Sequence, residues 1–287
     1  MIAIYKREIS AYFKGMFGYV VAVFLLLFTG IYTVVYNLSS GYPNFEYVLS
    51  AITFLYLLII PVLTMRSISE ERRQHTDQLL YSLPLSMGKV VLGKYLAMLT
   101  VLLLPMVLMC LYPLILSAFG TVNFASAYSG MIGFFLLGAA LVALGMFVSS
   151  LTESQAVAAG LSFVCILVVY LMNALASFIP STAFGSFAAL TVVVVLVALI
   201  LYLMTKNFTN TAVVAVALEL ILAACYALWS DAFLNLFPNI LSQLSLFDRL
   251  TNFLNGMFDL TAVVYDLSFA AVFLFLTTQS LEKRRWS

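Results

Sequence analysis

Charge is what this sequence has least of. Only 9% of its 287 residues are Asp, Glu, Lys or Arg, against roughly 25% in soluble domains, so a water-facing globular surface is excluded. Histidine occurs once, as His75, which rules out an HExxH zinc helix or any two-histidine metal site. The three cysteines, Cys110, Cys165 and Cys225, lie inside apolar runs with no disulfide or metal-ligand spacing, and read as small buried hydrophobes. Nothing in the net charge of +1 suggests a nucleic-acid partner. A small-residue cleavage site after the first apolar run is also missing, so no cleavable signal peptide is expected. Finally, no polar stretch between apolar runs is long enough to form a soluble domain.

What remains is apolar: 64% hydrophobic residues and a mean hydropathy of +1.11. The runs are continuous rather than alternating, which favours spanning helices over a membrane barrel. The expected fold is an all-α integral membrane protein, one transmembrane domain over 1–287. A crossing needs about 20 apolar residues. Eight segments qualify: 16–36, 47–65, 90–116, 128–149, 156–178, 187–204, 211–229 and 260–279. The sixth and seventh are separated only by Thr205–Thr211, so 187–229 reads as a helical hairpin. With the N-terminus in the cytoplasm, every Lys and Arg except Arg249 falls on the cytoplasmic side. The positive-inside rule therefore sets both termini inside.

Two segments are expected to lie along the bilayer surface. In 1–15, Ile2, Tyr5, Ile9, Tyr12 and Met16 recur at steps of three and four, with Lys6, Ser10 and Lys14 on another face. This pattern describes an interfacial elbow helix that bends into the first span near Gly15 and Gly18. In the extracytoplasmic stretch 230–258, Ile240, Leu244, Phe247, Leu250 or Thr251, and Leu254 repeat the pattern. Short helices resting on the outer leaflet are expected there.

The polar exception is 66–88, where Glu70, Glu71, Arg72, Arg73, His75 and Asp77 crowd together. Ser67 with Glu70 fits a capping box, and Glu70 and Glu71 suit a helix's first turn. Leu79, Leu80 and Leu83 supply apolar contacts, Pro84 ends the helix, and Ser86 is placed to cap the next span. The expectation is a short cytoplasmic helix across the bases of spans two and three. Within it or beside it, Gly88–Lys94 nearly spells a phosphate loop, but Tyr95 replaces the Ser or Thr that a magnesium ion needs, and no strand precedes it.

Inside the spans, Gly133, Gly138 and Gly145 belong to a small-residue set in span four that permits close helix packing. Glu219 is an acid within the seventh apolar segment, where a charge costs roughly 2.5–3.5 kcal/mol. It serves either as a hydrogen-bonded tie between helices or as a polar group for substrate or proton. Asp259 is placed to cap the last span.

The run EERRQHTDQLLYSLPLSMGKVVLGKYLA resembles the cytoplasmic coupling-helix signature of type-two ABC export permeases, through Glu70, Glu71, Arg72, Thr76, Leu79, Leu80, Pro84, Gly93 and Lys94. His75 stands where that family usually carries Gly. Gly145–Ala159, with Glu153, is similar to the family's second cytoplasmic turn, and Gly256 with Glu282–Trp286 resembles its gliding-motility-type branch. The resemblance implies a permease subunit in a bacterial cytoplasmic membrane, with ABC ATPase subunits docked beneath it and a second permease chain, identical or related, beside it. Glu70, Glu71, Arg72, Thr76, Leu79, Leu80, Pro84 and Glu153 would then form the ATPase-coupling set. No cofactor is expected in this chain; ATP and magnesium would bind the ATPase. A secondary carrier, or a membrane enzyme or assembly factor, is the alternative. A carrier would show inverted repeats around intramembrane charges, and an enzyme would need converging catalytic side chains; neither is evident.

Overall fold

The computed structural model describes residues 1–74, 86–205 and 208–285. Every regular element among them is helical, as continuous apolar runs in lipid require. The chain divides into two compact units, residues 1–168 with 249–287, and residues 169–248.

In the first unit, α1 (Ile2–Lys14) precedes α2 (Phe17–Tyr32), which continues as a π-helical turn over Thr33–Ser39. The bend between them is made by Met16, whose φ of 62° is left-handed, while Gly15 keeps an ordinary φ of −81°. Gly18 has a different job: a Cβ there would come 3.1 Å from the Phe13 ring. The second span, Glu46–Arg73, runs through α3 (Glu46–Ile52), a 3-10 stretch over Thr53–Leu55, α4 (Tyr56–Thr64), a turn at Met65–Ile68 and α5 (Ser69–Arg73). The chain resumes as α6 (Met87–Met109), α7 (Leu111–Leu116), α8 (Phe124–Leu151) and α9 (Gln155–Phe178). The hairpin helices α10 (Ala183–Thr205) and α11 (Phe208–Leu228) follow, then α12 (Leu236–Leu244), α13 (Leu246–Leu254) and α14 (Leu260–Arg285).

By length and composition, six helices of the described residues can cross a membrane, or up to seven if Ala212–Leu228 and Ser230–Leu244 form one bent span. Eight were expected; the other two fall in the hairpin region, where the helices Ala183–Thr205 and Phe208–Leu228 lie. At 23 and 21 residues, both are about as long as a crossing needs. The second of them ends at Leu228, one residue before the expected end of the seventh segment, and the chain there turns by 111° into Ser230–Leu244.

The centre of the first unit is α8, the most buried of the six spans. Its glycines let neighbours approach where a side chain would block them. A Cβ on Gly133 would lie 2.6 Å from Phe253, one on Gly138 2.6 Å from Leu102 and 2.8 Å from the Tyr56 hydroxyl, and one on Gly145 2.4 Å from Thr64. Tyr56 fills the space Gly138 leaves, stacking on Phe134 at 4.4 Å and donating to its carbonyl at 2.8 Å. The segment expected on the outer leaflet is partly taken up here too. Leu250 and Phe253 of α13 are buried, and Ser126 donates to the Leu254 carbonyl at 3.1 Å. Asp259 caps α14 as expected, accepting from the Thr261 amide at 2.9 Å, while Asn252 donates to its other oxygen at 2.9 Å. These bonds, led by the one from Asn252, lower the Asp259 pKa.

In the second unit, α10 and α11 pack as the expected hairpin. Phe187 and Tyr226 meet at 4.8 Å, and the Ser186 hydroxyl accepts from the Phe237 amide at 3.3 Å.

Gly138→Ala forces a methyl group against Leu102 and Tyr56, and overpacking of this kind costs about 1–3 kcal/mol. The thermal midpoint of the detergent-purified chain should fall by several degrees, whereas Gly160→Ala, which meets nothing within 4 Å, should leave it unchanged.

Candidate functional site

One end of the first unit gathers most of its described charges: Arg7 and Glu8 from α1, Arg66, Glu70 and Glu71 around α5, Lys94 from α6, and Arg284 from α14. This is the basic end of the bundle. The charged stretch after the second span starts here, so its placement decides what the site can do.

The expected capping box does not form. The residue before α5 is Ile68, with no side-chain cap, and the Ser67 hydroxyl is buried without a hydrogen-bond partner among the described residues. The cap comes from elsewhere in the chain. Ser149, at the end of α8, accepts from the amides of Ile68 and Ser69 at 3.4 and 3.3 Å and donates to the Met65 carbonyl at 3.4 Å. Glu70 is not available to complete a box, because Arg66 takes both its oxygens at 2.7 and 2.9 Å. Arg66 in turn lies over the Phe17 ring at 4.3 Å.

Beside this cap sits a four-charge network. The Lys94 ammonium is 3% exposed and donates to Glu71 at 2.9 Å, the Ser67 carbonyl at 2.8 Å and Glu8 at 3.2 Å. Arg7 closes the ring through Glu8 at 2.6 Å and through Glu71. Two cations and two carboxylates balance, which is the condition under which buried charge is tolerated. Burial alone would raise the Glu8 pKa, but Lys94 and Arg7 overcome it and hold the carboxyl below its ordinary value. Tyr12 adds a bond from the same face of α1, its buried hydroxyl donating to the Leu63 carbonyl at 3.0 Å, and burial pushes its phenol well above the ordinary value.

The buried side of α1 is therefore Ile4, Glu8 and Tyr12, facing protein, while Ile2 and Met16 remain exposed. The stripe read from the sequence included Tyr12 but missed Ile4 and Glu8, because the charge of Glu8 interrupts the apolar pattern.

Of the coupling residues expected from the sequence, Glu70 and Glu71 are engaged within the chain and Arg72 is buried. Thr76, Leu79, Leu80 and Pro84, with His75, lie outside the described residues. Glu153 is apart from the network, exposed in the turn between α8 and α9, with Arg284 at 3.5 Å. Ser86 precedes α6 as expected, without a side-chain cap bond. Gly88–Lys94 is the opening of that helix, so it offers no loop of free amides to a phosphate. In the second unit, Glu219 accepts from Thr191 at 2.8 Å, joining the two hairpin helices. Among the described residues, no three His, Cys, Asp or Glu side chains gather into a group that could hold a metal.

Sequence reasoning missed Arg7, Glu8, Lys94 and Ser149 as partners. Lys94 alone carried a signal, a cation inside an apolar helix, which requires a counter-charge.

The family model described as ABC-2 family transporter protein matches residues 29–190, which include spans two to five of this bundle and the whole charged stretch. No curated protein matches the sequence.

Because the Glu8 pKa is lowered by folding, its contribution is fully present above the ordinary value of 4.5 and lost as pH falls through the folded value. The thermal midpoint of the wild type should therefore drop as pH is lowered below about 4.5, and Glu8→Gln should flatten that acid limb. Ser149→Ala removes a cap worth about 1 kcal/mol, which should be visible as faster amide exchange at Ile68 and Ser69.

Proposed function

The chain belongs to the ABC-2 family of transporter proteins, and on that premise we propose that it is the permease subunit of an ATP-driven exporter in a bacterial cytoplasmic membrane. It is a multi-pass permease component; the remaining features are our reading. A separate ATPase supplies the hydrolysis, docking on the cytoplasmic side against the stretch that begins at Glu70. A second permease chain completes the transporter. The elbow helix and six spans form the core, the hairpin within 187–229 is an addition to it, and both termini are cytoplasmic. The C-terminal resemblance, through Gly256 and Glu282–Trp286, supports the gliding-motility-type branch.

The observation that carries this reading is that Glu46 to Arg73 runs as a single span, its short turn at Met65–Ile68 held by Ser149. A push on the charged stretch reaches the second span through that one turn, which is bonded to the end of α8. Glu70 and Glu71 make their strong contacts inside the chain, so their proposed part is to aim the coupling segment. Arg72 belongs to its buried base. The docking face then falls to Thr76, Leu79, Leu80 and Pro84, with Glu153 contributing from the second turn. An ATPase closing on ATP would displace this face, and the second and third spans would carry the displacement to the transport pathway. Membership of the family weighs against a secondary carrier, which would need no such partner.

Replacing Leu79 and Leu80 together by Asp should abolish co-purification of the ATPase encoded beside this chain, or reduce its stimulated hydrolysis at least tenfold. The variant should still accumulate in the membrane. Full stimulation in that variant would overturn the docking assignment, and labelling of a cysteine placed at Asp77 from the external side would overturn the topology.

A further inference from the structure

Gly93 and Lys94 have no nucleotide to bind, yet both are sharply constrained. A Cβ on Gly93 would lie 3.2 Å from Ile4 and 3.3 Å from the Met1 carbonyl, so this glycine admits the start of α1 against α6. One residue on, Lys94 has three N–H groups, and the structure assigns each a partner: Glu8 of α1, Glu71 of α5 and the Ser67 carbonyl between α4 and α5. Tyr5 adds a hydrogen bond to Thr100 at 3.0 Å, one and a half turns further along α6. Elbow, coupling segment and third span thus share a single buried cation.

We infer that Lys94 is the positioning residue that makes the elbow helix and the segment from Met65 to Arg73 one rigid body. The elbow helix is then a working part of force transmission, because any displacement of the coupling segment carries α1 with it. Geometry favours this over three independent contacts. Glu8 and Glu71 would repel one another if the ammonium left, so the buried part of the contact between elbow and segment depends on it. Arg7 reinforces the assembly from the exposed side, bonded to both carboxylates, but it is half exposed and cannot replace a dry contact.

The rigid-body link is a property of the chain alone; only its use in force transmission rests on the ATPase-coupled reading. The test is hydrogen exchange on the full chain in phospholipid nanodiscs. In Lys94→Met, amides of both Ile2–Lys14 and Ser67–Arg73 should exchange at least tenfold faster, with the middle of α8 unchanged. Lys94→Arg, which keeps the charge, should return both segments to within about threefold of wild type. If Lys94→Met does not accumulate, Glu8→Gln should accelerate both segments in the same way. Loosening of one segment without the other, or of neither, overturns the inference. With the ATPase present, Lys94→Met should retain co-purification and lose stimulated hydrolysis by tenfold or more; unchanged stimulation with both segments loosened would reduce Lys94 to a purely structural tie and overturn the transmission role. A wild-type chain that recruits no ATPase would retire the coupling reading and leave the exchange result to decide the rigid-body link.

Discussion

A buried ammonium is among the most demanding groups a chain can place. Withdrawing one partner from a buried ion pair costs about 3–5 kcal/mol, a large share of any domain's stability. Lys94 is therefore bound to keep Glu8, Glu71 and the Ser67 carbonyl in place, and everything attached to those groups inherits the constraint. The elbow helix, the base of the second span and the opening of the third have their relative positions fixed by this one requirement. The exposed pair between Arg284 and Glu153 makes the contrast. Such pairs are typically worth little, because water screens them and long side chains lose freedom in forming them.

A second constraint acts along the axis of α8. In lipid there is no hydrophobic force drawing apolar helices together, so proximity must come from shape. Gly133, Gly138 and Gly145 provide it, each at a different height and each against a different neighbour: Phe253, then Leu102 with Tyr56, then Thr64. Ser149 completes the series at the basic end by turning from packing to capping. The pillar that locates the spans also caps the helix at the base of the second span. Rigidity at this junction is what a permease needs if work done outside the bilayer is to be felt within it.

Much of this was legible in the residues. The scarcity of charge excluded a soluble fold, and uninterrupted apolar runs required helices. The glycines of span four announced close packing, and Asp259 announced a cap that the structure contains. The run from Glu70 to Lys94 carried the family resemblance, and the family match includes it. Other features were misread for local reasons. Ser67 and Glu70 have the spacing of a capping box, but Arg66 lies nearer to Glu70 and offers two donors where a backbone amide offers one. The bend expected near Gly15 and Gly18 is present, but its left-handed residue is Met16 between them.

The sequence by itself determined the solvent, the helical class, the position of most spans and the place where polar chemistry is concentrated. Those follow from composition and period, which are sums over neighbouring residues. Only the tertiary structure decided who serves whom: Ser149 capping a helix that begins at Ser69, and Lys94 answering a glutamate in the elbow. Partnerships of this kind depend on which distant backbones are brought within about 3 Å, and no local pattern encodes that distance.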